Sequence, residues 1–178
     1  MKVITGIISC VFFTFCCPMK NNETNSKINK NGIVEKQDFK NCPSDGHCTI
    51  SIIKNKKIVI QKDEINGIYY TLEDNETNSI LKYTYLKQGH KDALDDNYTE
   101  DVIIPFEHTK TNLELKDAEL KGKNILFGKH CYCKDEAGYY VIEKGKLFLS
   151  IKEDSYLLKF DFEVSNITQK ISSIDVTF

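Results

Sequence analysis

The stretch LKFDFEV, residues 158–164, alternates apolar and charged side chains without a break. Successive side chains of a β-strand point to opposite faces, so this period of two predicts a strand with one buried face. Ile, Leu, Val, Phe, Tyr and Thr fill the apolar positions, and most of these residues suit a pleated, half-buried surface. The same alternation recurs in residues 49–52, 57–61, 81–87, 112–116 and 146–152.

Turn-forming residues separate these runs, which fixes the class of fold. The turn signals are Ser44-Asp45-Gly46, Asn66-Gly67, Asp74-Asn75, Lys144-Gly145 and Glu153-Asp154-Ser155. Helical spacing is weak and confined to residues 118–121 and 167–174. Short strands with turns about every 8–12 residues predict an all-β fold, an antiparallel β-sandwich or barrel of about 8–10 strands.

Two segments resemble each other in the order of their residues. KDEINGIYYTLE (62–73) and KDEAGYYVIE (134–143) both contain Lys-Asp-Glu, a glycine, a tyrosine pair and a final Glu. Two related halves of the domain would explain the likeness. Two hairpins that use the same turn and strand residues by chance would explain it as well.

Charge and composition exclude one class of partner. The formal net charge is −2, and all 24 basic residues are lysine. Without arginine the chain lacks the side chain that most often makes a bidentate contact with guanine. We therefore predict that nucleic acid is not a partner.

The N-terminus has the organisation of a secretory signal peptide. Lys2 precedes an uncharged run, residues 3–17, and a polar segment follows abruptly. The run is shorter than the roughly 20 apolar residues that a membrane-spanning helix needs. We predict a signal peptide over residues 1–17; a buried N-terminal strand or helix is the alternative.

The end of this apolar run, FTFCC (13–17), resembles the lipobox of small bacterial cell-envelope lipoproteins of unknown function. The resemblance implies lipidation of Cys17, or else of Cys16, and a location at a membrane of the cell envelope. The match is partial, because Thr14 stands where the pattern usually has leucine. Cleavage without lipid is the alternative. The resemblance covers only the first seventeen residues and implies no activity.

Residues 18–41 are rich in Asn, Lys, Ser and Glu and contain few large apolar groups. Such a segment buries too little apolar surface to offset the entropy of ordering it. We predict that it is a flexible tether and that the β domain spans residues 42–178.

Four cysteines lie in the predicted domain, Cys42, Cys48, Cys131 and Cys133, and an even number in an exported chain indicates disulfides. On a strand, Cys131 and Cys133 would share a face roughly 6.5–7 Å apart, near the upper limit for a bond between them. We therefore predict two bridges that join the first pair of cysteines to the second.

Two alternatives remain for the cysteines. His47, Cys48, His130 and Cys131 are ligand types that suit Zn²⁺ or Cu(I), although their spacing is not that of a zinc finger. The other alternative is a redox-active Cys-x-Cys, which a Cys42–Cys48 bond beside a reducible Cys131–Cys133 bond would favour.

The longest polar insertion, residues 88–101, is the candidate binding loop, because long loops on a rigid scaffold often carry binding sites. Its candidate residues are His90, Asp92, Asp95, Asp96, Glu100 and Asp101. A solvated acidic loop is the alternative. The chain has no nucleophile elbow and no phosphate-binding glycine loop.

Together these features predict an exported, lipid-anchored cell-envelope β protein with a binding or structural role, without catalytic activity and without a cofactor. Its partners would be the membrane, through the lipid, and an envelope protein or glycan. A soft-metal-binding protein and a secreted enzyme with its site in residues 88–101 are the alternatives.

Overall fold

The computed structural model describes residues 33–34, 39–90, 92, 96–153 and 155–178. These residues form ten β-strands and one short helix, which confirms the predicted all-β fold. The elements are β1 (Ile33–Val34), β2 (His47–Lys62), β3 (Ile68–Lys87), β4 (Tyr98–Glu107), β5 (Asn112–Lys116), α1 (Ala118–Lys121), β6 (Leu126–His130), β7 (Gly138–Val141), β8 (Lys144–Lys152), β9 (Ser155–Glu163) and β10 (Ser173–Thr177).

The strands form two antiparallel sheets. The larger has the order β1-β2-β3-β4-β6-β7, and the smaller has the order β10-β9-β8-β5. Side chains from both sheets meet in one main core, which makes the domain a β-sandwich. LKFDFEV, the stretch that indicates the fold, lies mostly in β9, with Leu158, Phe160 and Phe162 buried and the intervening charged residues exposed.

The larger sheet also curls back on itself. Residues 78–87 of β3 pair with β4, whereas Ile68 at the start of the same strand pairs with Tyr139 of β7. The pairings of β3, β4, β6 and β7 therefore close a ring. Between Lys54 and Lys56 of β2 the register with β3 shifts, so that Asn55, at φ 57°, lies opposite the four residues 75–78, which bulge from β3. Bulges bend a strand and increase its twist, which is what this curvature requires.

The curled sheet encloses a second, smaller core on the face away from the four-stranded sheet. Its buried members are Ile58, Ile80, Ile103 and Leu126. Residues of β4 alternate between the two cores: Val102 and Ile104 pack in the main core, and Ile103 packs in the second. Strand β4 is thus buried on both faces.

Several local predictions need correction. Asp74-Asn75 does not end a strand, because β3 continues through it, but the Asn75 side chain accepts hydrogen bonds from the backbone N–H groups of Thr77 and Asn78 in a local turn within β3. The predicted loop 88–101 is shorter, since β4 begins at Tyr98. Helix α1 coincides with the first weak helical pattern, but residues 167–174 form no helix.

The two similar segments both form the turn of a hairpin and the strand that follows. Beyond that point they diverge, because β3 continues in the six-stranded sheet while β8 lies in the other sheet. Parts of the predicted tether pack on the domain: Ile33 pairs with Ser51, and Phe39 packs against the main core. Among the described residues, no helix has the length and apolar character that a membrane crossing requires.

Candidate functional site

Polar groups concentrate at one end of the six-stranded sheet. Cys48, Tyr85, Glu100 and Lys129 are register partners across β2, β3, β4 and β6. All four side chains lie on the face of the sheet that carries the main core, because they alternate with residues of the opposite face. We call Glu100, Lys129 and their direct partners the interior polar cluster.

Glu100 is fully buried and lies at the centre of this cluster. Its two carboxylate oxygens accept hydrogen bonds from the backbone N–H groups of Lys170 and Ile171, each at 2.7 Å. The hydroxyl of Tyr98 donates a third hydrogen bond to the same carboxylate. Burial and this carboxylate raise the pKa of Tyr98. Glu100 therefore fastens the connection between β9 and β10 to the six-stranded sheet.

Lys129 fastens the same connection from the neighbouring strand. Its ammonium group forms an ion pair with Glu136 and donates hydrogen bonds to the carbonyl and the hydroxyl of Thr168, both at 2.8 Å. It also lies 5.6 Å from the centre of the Tyr98 ring, within range of a cation–π contact. The hydrogen bond from Lys129, assisted by one from Thr168, lowers the pKa of Glu136.

Asp45 lies at the exposed edge of the cluster, where it binds Tyr85, the register partner of Glu100. It accepts a hydrogen bond from the Tyr85 hydroxyl at 2.7 Å and one from Lys87 at 3.1 Å. These bonds lower the pKa of Asp45 to about 2. Burial, together with the Asp45 carboxylate, raises the pKa of Tyr85 to about 12.

A second polar group occupies the opposite face of the same sheet. Asp101 accepts hydrogen bonds from Thr84 at 2.6 Å and from Lys82 at 3.0 Å, and His130 Nε2 lies 3.3 Å from it. Burial is the largest influence on Asp101 and raises its pKa, but His130, Thr84 and Lys82 together hold the pKa below its usual value. A side chain at Gly128 would meet the ring of Tyr139 and His130, so glycine leaves the space they occupy.

The candidate residues of the predicted loop separate into two groups. Glu100 and Asp101 belong to β4 and are buried on opposite faces, so neither lines a loop. His90, Asp92 and Asp96 are exposed, and the Asp96 carboxylate accepts a hydrogen bond from the backbone N–H of His90 at 3.1 Å. Asp95 lies outside the described residues. The sequence analysis did not identify Lys129, because nothing in the local pattern KHCYCKDE distinguishes a buried lysine from an exposed one.

The cysteines pair within each cluster and not across, which corrects the predicted connectivity. Cys42 bonds to Cys48, and Cys131 bonds to Cys133, with Cα atoms 5.9 and 5.2 Å apart. Strands β3 and β4 separate β2 from β6, so a cross-cluster bridge would span three strand spacings, roughly 14 Å. That exceeds the Cα separation of about 7 Å that a disulfide tolerates.

The prediction failed for a local reason as well. Strand β6 ends at His130, and the chain turns at once, so Cys131 and Cys133 do not share a strand face. Their short sequence separations limit what the two bonds contribute to stability. In the chain-entropy model a bridge that closes the loop 42–48 stabilises by about 2.4 kcal/mol and one that closes the loop 131–133 by about 1.6 kcal/mol, against about 4.5 kcal/mol for the expected long loop.

The candidate metal ligands do not come together. His47 and His130 lie in one register row but again three strand spacings apart, with Leu86 and Thr99 between them. Cys48 and Cys131 are engaged in disulfides. Within the described residues no group of three or more His, Cys, Asp or Glu side chains is arranged to hold a metal ion. The candidate lipidation sites Cys16 and Cys17 lie outside the described residues.

A groove of about 240 Å³ lies at the opposite end of β4 from Glu100, where the end of β4 and the start of β5 approach the bulge between β2 and β3. Its floor includes Ile58, Phe106 and Leu113. Its polar lining is Lys57, Lys110, Lys123, Asn78, Asn112, Asn124 and Glu107. We call it the lysine groove. The side chains of Lys123, Asn112 and Asn124 have no hydrogen bond or ion pair within the described part of the chain.

Comparison of the chain with protein-family models, with curated proteins and with solved structures found no match. The functional argument therefore depends on the residues and their geometry.

Proposed function

We propose that the protein is an exported β-sandwich domain, anchored to a membrane of the cell envelope by lipid at Cys17 or Cys16, that binds an acidic glycan in the lysine groove. The observation that carries the binding role is the groove itself. It combines apolar residues with three lysines and one glutamate, and the side chains of Asn112 and Asn124 make no hydrogen bond within the described residues.

The chemistry of the groove fits a charged sugar. Lysine ammonium groups bind carboxylate or phosphate, and free asparagine amides offer both donors and acceptors to hydroxyl groups. The apolar floor suits the C–H face of a sugar ring. Glu73 forms an ion pair with Lys57, and Glu107 forms one with Lys110. Lys123 forms neither an ion pair nor a side-chain hydrogen bond within the described residues, although its charge helps to lower the pKa of Glu107, so it is the lysine most available to a ligand.

Export is supported by the state of the cysteines. All four cysteines among the described residues are bonded in pairs. Disulfides persist in oxidising compartments outside the cytosol and are rare within it. The same pairing counts against the soft-metal alternative, because a bonded cysteine offers no thiolate. Nothing in the geometry of His90, Asp92 and Asp96 favours the enzyme alternative.

The anchor is tested by fractionation of cells that express the full chain. Replacement of Cys16 and Cys17 with serine should move the protein from the membrane fraction to the soluble fraction. Mass spectrometry of the mature N-terminus should find an acyl group in the unmodified chain only. A soluble unmodified chain without acyl mass would exclude the anchor and leave the binding role intact.

The binding role is tested by titration with envelope glycans that carry carboxylate or phosphate groups. Lys123→Glu should weaken binding at least about tenfold, since a hydrogen bond to a charged group contributes about 1.5–3 kcal/mol. Asn112→Ala should weaken binding less. The matched control is Lys134→Glu, which makes the same charge change on an exposed residue of the β6–β7 connection. Equal affinity of the two lysine variants would exclude the groove.

A further inference from the structure

The two disulfides lie in different surroundings. Cys42 and Cys48 pack against the main core, and the sulfur of Cys48 accepts a hydrogen bond from Tyr83 at 2.8 Å. Cys131 and Cys133 belong to neither core and are partly exposed, and the residue between them, Tyr132, is 99% exposed. Only the first disulfide is part of the packed interior.

The segment that carries the second disulfide forms hydrogen bonds and ion pairs only at its two ends, within the described residues. His130 pairs with Thr99 and contacts Asp101, and Glu136 is bound by Lys129. From residue 131 to residue 135 no hydrogen bond or ion pair occurs within the described part of the chain. The disulfide can therefore open without the loss of any ladder hydrogen bond or core contact.

We propose that Cys131–Cys133 is a thiol-exchange site that oxidises paired cysteine thiols of another polypeptide, while Cys42–Cys48 is a structural bond. Exposed disulfides outside the packed interior are the ones that exchange readily. This activity is independent of the lysine groove, which lies elsewhere on the domain.

The exchange balances as a two-electron transfer. A substrate thiolate attacks one sulfur, a mixed disulfide forms, and the other cysteine leaves as a thiolate. The second substrate thiolate then attacks the substrate sulfur of the mixed disulfide, which releases the first cysteine. The substrate loses two electrons and two protons and becomes a disulfide, and Cys131 and Cys133 become thiols. A disulfide compound such as glutathione disulfide restores the bond by the reverse exchange.

Tyr132 indicates that the substrate is a polypeptide and not a small thiol. A fully exposed aromatic ring between the two reactive sulfurs offers a large apolar surface at the point of attack. An extended peptide on either side of its cysteine can cover that ring. Glutathione reacts through its sulfur with little surface to bury, so it depends less on the ring.

The first test measures the two disulfides separately. The oxidised chain is equilibrated in glutathione buffers of graded potential, free thiols are alkylated, and peptides containing residues 42, 48, 131 and 133 are quantified by mass spectrometry. Cys131 and Cys133 should become alkylated in buffers that leave Cys42–Cys48 bonded, with an unchanged near-ultraviolet circular dichroism spectrum. A tenfold or larger difference in the equilibrium constant corresponds to about 30 mV or more. Reduction of both bonds together, or of Cys42–Cys48 first, would overturn the proposal.

The second test measures oxidation of a reduced peptide with two cysteines in the presence of glutathione disulfide. The unmodified chain should accelerate it, and a Cys131→Ser, Cys133→Ser double variant, which alters only the exposed turn, should not. Tyr132→Ala should slow peptide oxidation but not the reaction with glutathione. Equal rates for the unmodified chain and the double variant would show that the site has no exchange activity.

Discussion

The two faces of the six-stranded sheet are buried in different ways. The face toward β5, β8, β9 and β10 is covered by a separate sheet, and its core includes four phenylalanines and two tyrosines. The opposite face is covered by the curled ends of its own strands and buries mainly isoleucine and leucine. The space between two sheets is wide enough for aromatic rings. The space inside the curled sheet holds aliphatic side chains at its centre, and the rings of Tyr70 and Tyr139 pack around them.

The contrast extends to the adjacent carboxylates of β4. Glu100, on the sandwich face, is bound by the part-buried backbone N–H of Lys170 and the buried backbone N–H of Ile171, both in the β9–β10 connection. Asp101, on the other face, is bound by Lys82 and His130, whose side chains are 33% and 42% exposed. If a carboxylate is removed, Lys82 and His130 can turn to water, whereas the buried N–H of Ile171 cannot. Substitutions on the sandwich face should therefore lower the free energy of unfolding more than comparable substitutions on the opposite face.

The largest expected effect comes from adjacent core residues of β6. Phe127 contacts Phe162 in the main core with ring centres 6.1 Å apart, and Leu126 lies in the second core. Phe127→Ala should lower the free energy of unfolding by about 3–5 kcal/mol, because truncation leaves a cavity between two sheets. Leu126→Ala should cost less, since the curled strands can close around the smaller side chain. Chemical denaturation measures both, and a larger loss for Leu126→Ala would contradict the comparison.

The carboxylates give the next effect. Glu100→Gln preserves shape but places an amide N–H₂ group against a backbone N–H donor, and the buried donor loses its acceptor. We expect a loss of about 3 kcal/mol in the free energy of unfolding. Asp101→Asn is the matched control on the other face and should cost about 1 kcal/mol, because exposed partners are rehydrated. Similar losses from both variants would mean that the two carboxylates do not differ as proposed.

The sequence predicted the class of fold because that information is local. Alternation of the kind found in residues 158–164 requires only that one face of a strand be buried. The strands β4 and β6 lack this signal, because both of their faces are buried, as Ile103 and Val102 illustrate. A strand buried on both faces is apolar throughout, and its pattern is not distinguishable from that of other buried segments.

Prediction of the site would have required information that is not local in the sequence. Pairing of the cysteines follows from strand order, and the order β2-β3-β4-β6 is not encoded in any single segment. Burial of Lys129 follows from the position of Thr168, a residue 39 positions away. The edge-to-face contact of Tyr70 with Tyr139, with ring centres 5.1 Å apart, likewise depends on the pairing of β3 with β7, two strands far apart in the sequence.

A glycine tests how tightly the second face is packed. A Cβ atom at Gly128 would come within van der Waals overlap of the Tyr139 ring and of His130. Gly128→Ala should therefore lower the free energy of unfolding by about 1–3 kcal/mol, as overpacking does. The control is Gly122→Ala, where the nearest atom to a new Cβ would be the carbonyl oxygen of Glu119 at 3.9 Å. That variant should be neutral or slightly stabilising. An unchanged free energy of unfolding for Gly128→Ala would show that the space between Gly128, Tyr139 and His130 can accommodate a methyl group.

The smallest effect should appear at the rim of the sandwich face, where Asp45 binds Tyr85 and Lys87. The pKa of Asp45 is lowered from 3.8 to about 2 in the folded state, so folding favours the charged form. The stabilisation is complete above pH 3.8 and is lost as the pH falls through 2. Asp45→Asn should be less stable than the unmodified chain at pH 6, and the difference should shrink between pH 4 and pH 2. Asp135→Asn is the control, because the Asp135 side chain has no hydrogen bond or ion pair within the described residues. Unfolding by denaturant at each pH gives the comparison, and a difference for Asp45→Asn that does not change with pH would mean that the carboxylate is not engaged as the geometry indicates.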